Sequence, residues 1–171
     1  AVPGPFMKTI LKALGADSTC ILCEWDNSFP VHPPDPTRPA NMELLGQIVR
    51  EVGAEFGIGV DGDGDRMGMV DENGTFIHPD RLLALFAADI LSRVPETASE
   101  EARTVFYDVK CSIALEQTIR SSGGIPNMMR TGHSFQKLAL KNSPETPLAG
   151  EMSGHFFFND KWPGFDDTLY C

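Results

Sequence analysis

Asp61-Gly62-Asp63-Gly64-Asp65-Arg66 is the stretch on which the reading of this chain turns. Carboxylates alternate with glycines, and an arginine follows at once. In an extended segment, residues two apart point to the same face. The glycines let the backbone curl so that the side chains converge. Carboxylates about 4–5 Å apart repel by roughly 3–4 kcal/mol per pair at an effective dielectric near 20. A divalent cation removes that penalty, and a hard oxygen cluster of this kind suits Mg²⁺. The plainer alternative is a solvated acidic turn, in which water screens the repulsion.

Two better-known motifs compete for the same residues. Counted from Asp61, the acids occupy calcium-loop positions 1, 3 and 5 and Glu72 falls at position 12, but position 6 is Arg66 where glycine is required. Phe56-Gly57-Ile58-Gly59-Val60 before it reads as a strand, where an EF-hand needs a helix. Gly57, Gly59 and Gly62 also match G-x-G-x-x-G. That fingerprint must open a helix, whereas here an acidic loop follows that would repel a pyrophosphate. Neither motif fits its context.

With 171 residues and 42% hydrophobic content, the chain can bury one good core or two small ones. No apolar run reaches the length of a membrane span. No signal-peptide pattern is visible, and the first residue is Ala1. The formal net charge of −10, without a lysine- and arginine-rich run, argues against nucleic acid or an anionic membrane as partner. An anionic substrate would need local cations set against an adverse overall field. Cys20-Ile21-Leu22-Cys23 has C-x-x-C spacing inside an apolar, strand-like run, where the two thiols would point to opposite faces. Buried, reduced cysteines and a cytoplasmic setting are therefore expected.

Helical and strand patterns alternate from end to end, the signature of an α/β protein. Phe6, Ile10, Leu11 and Leu14 stripe a first helix closed by Gly15. Thr19 to Trp25 reads as a strand, and Pro30 to Pro39 as a loop leading into a helix with Leu45, Ile48, Val49 and Val52 on one side. Strands flank the acidic loop, and Asn73-Gly74 signals a tight hairpin. Asp80 is a candidate N-cap for an apolar helix, Leu82 to Leu91. A strand from Thr104 to Val109, a helix from Ser112 to Arg120 and a strand from Ile125 to Arg130 follow. Gly164 to Tyr170 suggests the opening of another helix. Pro3-Gly4-Pro5 stands at the mouth of a helix with no strand before it, so a fragment of a longer protein is expected.

Three further polar clusters sit at strand-to-helix junctions, where open α/β sheets place ligands. They are Asp108-Val109-Lys110-Cys111-Ser112, Arg130-Thr131-Gly132-His133-Ser134 and Gly150-Glu151-Met152-Ser153-Gly154-His155. Singly, each has a structural explanation: a snorkelling lysine, a capping serine, a surface histidine. In this order, behind the acidic loop, they are far more specific.

The set resembles the α-D-phosphohexomutases, most closely their bifunctional phosphomannomutase/phosphoglucomutase branch, from Pro3-Gly4-Pro5 to Gly164-Phe165-Asp166-Asp167. The resemblance implies that Asp61, Asp63 and Asp65 hold Mg²⁺ and that Arg66 faces the substrate. It makes Gly150 to His155 a sugar-recognition loop in which Glu151 and Ser153 hold sugar hydroxyls. Lys110 and His133 match positions of ligand contact, joined by Thr131, and His155 is the candidate for proton transfer. Arg66 and His155 are thus the catalytic candidates.

In such enzymes a phosphoserine donates its phosphoryl group to a sugar monophosphate, and the bisphosphorylated intermediate turns over and returns the other phosphate. Family members have four domains. The resemblance implies two similar α/β layer domains here, each a mixed sheet with flanking helices and each incomplete: residues 1–76 as the second domain and 77–171 as the third. No Ser-His-Asn-Pro segment is present, so the phosphoserine belongs to the missing first domain. The fourth is missing too, and this piece alone is expected to lack turnover. The rival readings are a non-catalytic acidic module binding divalent metal or a partner protein, and a phosphatase with Asp61 as nucleophile. A mere metal binder would not need Lys110, His133 and Glu151 to His155.

Overall fold

The computed structural model describes residues 1–171 and groups them into two units, Ala1–Ile77 with Asp167–Cys171, and His78–Asp166. In the first, helices α1 (Gly4–Ala13) and α2 (Pro39–Val52) precede strands β1 (Phe56–Val60), β2 (Met67–Asp71) and β3 (Phe76–Ile77). Each helix has proline in its opening turn, where the missing N–H has no intrahelical partner to lose. The sheet is antiparallel in the order β1-β2-β3, and Val60 opposite Met67 places the acidic loop at the tip of the first hairpin. Met42 and Val49, on one face of α2, pack with Val70, while Leu45, Ala54 and Phe76 close around them. Gly46 shares that face, and a Cβ there would meet the carbonyl oxygen of Gly74 at 2.5 Å, so the expected Asn73-Gly74 turn rests directly on the helix.

Some expectations fail in this unit. Thr19–Trp25 forms no strand. Leu22 has a φ of 52°, and Cys20 and Cys23 are joined as a disulfide instead of standing reduced and buried. Cys20 is exposed and Cys23 half-buried. An apolar run becomes a strand only where a neighbour supplies its ladder hydrogen bonds, and no neighbour does. Phe6 and Leu14 of the α1 stripe are likewise exposed. The expected helix at Gly164–Tyr170 is only a turn, in which Tyr170 and Cys171 donate their N–H groups to the Asp167 carbonyl.

The second unit contains α3 (Pro79–Ser92), a 3₁₀ turn (Glu101–Arg103), β4 (Thr104–Asp108), α4 (Ile113–Ser121), β5 (Ile125–Met129), α5 (His133–Asn142), β6 (Leu148–Gly150) and β7 (Phe156–Phe158). Its mixed sheet has the order β5-β4-β6-β7, with β4 parallel to β5 and β6, and β7 antiparallel to β6. Val105, Phe106, Tyr107 and Asp108 are all buried, as befits a central strand covered on both faces. Alternation divides the core: Phe106, Ala149 and Phe157 pack with Leu140 of α5, whereas a Cβ on Gly150 would strike Leu83 of α3. Asp80 does not cap α3. Pro79 begins that helix and His78 is its N-cap, which leaves Asp80 inside the first turn, where its carboxylate accepts the Ser112 N–H (3.0 Å) at the start of α4.

The chain is thus α/β, with two helix-flanked sheets. Because β4, β5 and β6 are parallel, their C-terminal ends lie at one edge, and all three polar clusters of this unit leave from that edge.

Candidate functional site

Asp61, Asp63, Asp65 and Arg66 fall in the first unit, and Lys110, Thr131, His133, Glu151, Ser153 and His155 in the second. The acidic loop folds around its first member. Asp61 is 2% exposed. Its Oδ1 accepts the N–H groups of Gly64 (2.9 Å), Asp65 (3.1 Å) and Arg66 (3.3 Å), and its Oδ2 accepts from Arg66 Nε at 2.8 Å. Burial pushes the Asp61 carboxyl up. Hydrogen bonds from the Arg66 side chain, the Gly64 N–H and the Arg66 N–H outweigh it and hold the group below the ordinary carboxylate range. Gly64 is needed for the curl: its φ is 88°, and a Cβ there would press on Pro3 at 3.1 Å.

One oxygen from each of Asp61, Asp63 and Asp65 lies within 4.8 Å of the others. Asp63 is exposed and Asp65 half-buried, so both can turn an oxygen toward an incoming ion. All three donors are hard carboxylate oxygens, and Asp61 Oδ2 keeps acceptor capacity beyond its bond to Arg66. The residues present therefore fit a divalent cation of the Mg²⁺ type.

Arg66 is itself held from a second side. Its Nη1 lies 3.4 Å from Asp35 Oδ1, which also accepts the Thr37 hydroxyl (2.7 Å) and N–H (3.2 Å). Burial depresses the guanidinium pKa, but Asp61, Asp35 and Asp65 more than restore it, so Arg66 stays a fixed cation. Sequence reading missed Asp35. Its only local signal is the Asp35-Pro36-Thr37 turn; the pairing with a residue 31 positions on is tertiary.

In the second unit, Glu151 is 1% exposed. Its Oε1 accepts the Gly132 N–H (2.6 Å) at the mouth of α5, and its Oε2 accepts the Ser153 hydroxyl (2.9 Å) and lies 3.3 Å from His155 Nδ1. A carboxylate at a helix N-terminus also meets the positive end of the helix dipole. Burial pushes Glu151 up, but His155, the Gly132 N–H and Ser153 together hold it below its ordinary value. Ser153 spends its single proton on Glu151, so its oxygen accepts from His155 Nδ1 at 2.9 Å. This hydrogen-bond pattern assigns the Nδ1–H tautomer to the neutral ring, and Nε2 is then the nitrogen that takes up a proton.

His133 stacks on His155 with ring centres 5.5 Å apart, and His155 in turn stacks on Phe157 at 6.2 Å. Lys137, one turn along α5, reaches His133 Nδ1 (3.3 Å) and pairs with Asp166 (2.6 Å), whose other oxygen is 3.9 Å from His155 Nε2. Lys110 is 52% exposed, with Nζ 3.6 Å from Asp108 Oδ2, and the same oxygen accepts the Thr131 hydroxyl at 3.0 Å. His133, Glu151, Ser153 and His155 thus share one set of contacts, and Lys110 and Thr131 share a second around Asp108. Lys137 and Asp166 were not among the candidates. An i, i+4 offset from His133 on a helix was the available signal for Lys137; Asp166 had none.

Chemically, the first unit offers clustered anionic oxygens beside a permanent cation. The second offers an ionised acceptor, a hydroxyl, two imidazoles and two ammonium groups. The first set suits a divalent ion, and the second suits a polyhydroxylated, phosphorylated ligand.

Comparison with known proteins identifies the family. Residues 1–74 match the family model for phosphoglucomutase/phosphomannomutase, alpha/beta/alpha domain II, and residues 78–171 match the model for domain III. A phosphomannomutase/phosphoglucomutase of Pseudomonas putida is 45% identical over 161 residues, which is 94% of this chain and 33% of that protein. A phosphoglucomutase of Neisseria gonorrhoeae is 44% identical over 170 residues, 99% of this chain and 35% of that protein. A crystal structure of a phosphoglucomutase/phosphomannomutase family protein from Burkholderia thailandensis superposes with a TM-score of 0.91 at 45% identity, covering 99% of this chain and 36% of that one. The chain spans about a third of the length of the curated relatives it matches. It belongs to the phosphoglucomutase/phosphomannomutase family.

Proposed function

We propose that residues 1–76 and 77–171 are the second and third domains of a Mg²⁺-dependent mutase that interconverts the 1- and 6-phosphates of mannose and glucose. In this reading a phosphoserine on the family's first domain donates its phosphoryl group, a bisphosphorylated sugar turns over, and the fourth domain clamps phosphate. The observation that carries it is the ionised, buried Glu151, bonded to both Ser153 and the Gly132 N–H, which gathers sugar-binding and phosphate-binding groups at one sheet edge.

Each residue has a physical task. Asp61, Asp63 and Asp65 would hold the metal, which supplies charge neutralisation to a transferring phosphoryl group. Arg66, kept charged by Asp61 and Asp35, offers its remaining N–H donors to a phosphate oxygen. Lys110 and His133 bind phosphate, and Thr131 joins the ligand contact beside them with its hydroxyl proton held by Asp108; Glu151 and Ser153 take sugar hydroxyls. His155 holds its proton at Nδ1 toward Ser153 and exchanges a proton with the reacting hydroxyl at Nε2. Contacts confined to the 3- and 4-hydroxyls would survive the turnover of the intermediate and admit both hexoses, which differ at the 2-hydroxyl. A charged hexose phosphate does not cross a bilayer unaided, which supports the cytoplasm as the compartment; the Cys20–Cys23 disulfide removes reduced cysteines as a ground for it.

Kinetics on the full-length protein carrying this segment test the reading. Mannose 1-phosphate and glucose 1-phosphate should be converted within about tenfold of each other, a gap near 1.4 kcal/mol. The 171-residue chain alone should show no turnover. A full-length protein inactive on both sugars would refute the assignment.

A further inference from the structure

We infer that Asp108 is a positioning residue: one buried carboxylate that sets the three ligand loops of the second unit relative to one another. Its geometry stands by itself, while its consequence for ligand binding rests on the hexose-phosphate reading above.

Asp108 ends β4 and is fully buried. Its Oδ1 accepts the Met152 N–H (3.3 Å) from the loop after β6, and the Cys111 thiol (3.2 Å) from the loop after β4. Its Oδ2 accepts the Thr131 hydroxyl (3.0 Å) from the loop after β5, and lies 3.6 Å from Lys110 Nζ. All three strand-end loops therefore converge on one side chain. Only the central strand can supply it, because β4 alone has both β5 and β6 as neighbours. A carboxylate is the side chain the position needs. It presents acceptor sites only, on two oxygens, and these donors arrive from opposite sides. An asparagine would turn a donor toward Thr131 or toward Met152.

The donors around Asp108 are those a buried carboxylate needs. A dehydrated, unpaired carboxylate is unfavourable, and here a backbone N–H, a hydroxyl, a thiol and an ammonium offset that. Burial and the Asp108 carboxylate push the Cys111 thiol far above its ordinary range, so Cys111 acts as a donor and not as a nucleophile. Lys110, half exposed, has its ion pair with Asp108.

The test uses the 171-residue chain with Asp108→Ala, the milder Asp108→Asn, and Ile119→Val as control, a fully buried α4 core residue outside these loops. Amide resonances of Gly132 and Met152 and imidazole resonances of His133 and His155 report the loops; titration with glucose 1-phosphate reports binding. Asp108→Ala should move all four sets of resonances and weaken glucose 1-phosphate at least tenfold, with Asp108→Asn intermediate. Ile119→Val should lower the Tm and leave both readouts in place. If Asp108→Ala does not fold, Asp108→Asn and Thr131→Val decide, the latter moving Gly132 and His133 while sparing Met152. Unmoved loop resonances in the folded Asp108 variants, or the same shifts in the Ile119→Val control, would overturn the inference. A wild-type chain that ignores glucose 1-phosphate would count against the mutase reading, while the resonances would still decide the role of Asp108.

Discussion

The acidic loop of the first unit and the ligand loops of the second use the same device, a dehydrated carboxylate ringed by donors, at very different chain separations. Asp61 takes its hydrogen bonds from residues three to five positions away. Asp108 and Glu151 reach partners 44, 23 and 19 positions away. Closing a short loop asks little of the rest of the fold, because its residues are already neighbours. Bringing three loops to one carboxylate needs a sheet that fixes the strand ends first. The first device is written locally, and the second depends on the topology β5-β4-β6.

The sharpest way to break that comparison is Asp61→Ala. It leaves Arg66 and three loop N–H groups without their acceptor and should cost about 3 kcal/mol, the lower end of the range for a broken buried ion pair because Arg66 is 29% exposed. Chemical denaturation measures it; a loss below about 1 kcal/mol would mean that water replaces Asp61 and that the loop does not depend on it. Glu151→Ala comes next. It removes the long-range acceptor and should cost about 1–3 kcal/mol. In the full-length protein it should depress turnover of mannose 1-phosphate and glucose 1-phosphate alike. A variant that loses one sugar and keeps the other would show that this loop reads the 2-hydroxyl.

Acid should weaken both devices together. The folded Asp61 and Glu151 carboxyls lie below their ordinary values. Their contribution is therefore present above the unfolded carboxylate range, about pH 4, and is lost as pH falls through the folded values beneath it. Tm should be level from about pH 7 to pH 5 and fall below about pH 4, less steeply in Asp61→Asn. A fall centred above pH 5 would point to other groups. The smallest effect on stability belongs to Asp63→Asn. Asp63 is exposed, so the change should stay within about 0.5 kcal/mol, yet calorimetry should show weaker Mg²⁺ binding. Equal affinity would remove Asp63 from the metal site.

Much of the molecule was legible because the relevant physics is short-ranged. The 3.6-residue apolar spacing marked α2, and the Asn73-Gly74 pair marked its hairpin. Alternating acids and glycines marked the loop that Asp61 folds around itself, and the polar clusters after β4 and β5 were visible as strand-end punctuation, whereas Gly150 to His155 joins β6 to β7 and not a strand to a helix as expected. The failures share a cause. Thr19–Trp25 looked like a strand because its composition suits one, but a strand exists only with a partner, and composition does not report partners. Asp80 looked like a cap for its own helix and instead receives the Ser112 N–H, 32 residues on.

What the sequence alone determined here is the α/β class, the local acidic loop and the kinds of side chain offered at each strand end. What only the tertiary structure decided is which of them meet. Asp35 supports Arg66, Lys137 and Asp166 approach the histidine stack, and Asp108 gathers three loops. The reason is physical: a buried carboxylate is stable only where enough donors converge on it, and convergence across tens of residues is a property of sheet order and register, which no single stretch of chain contains.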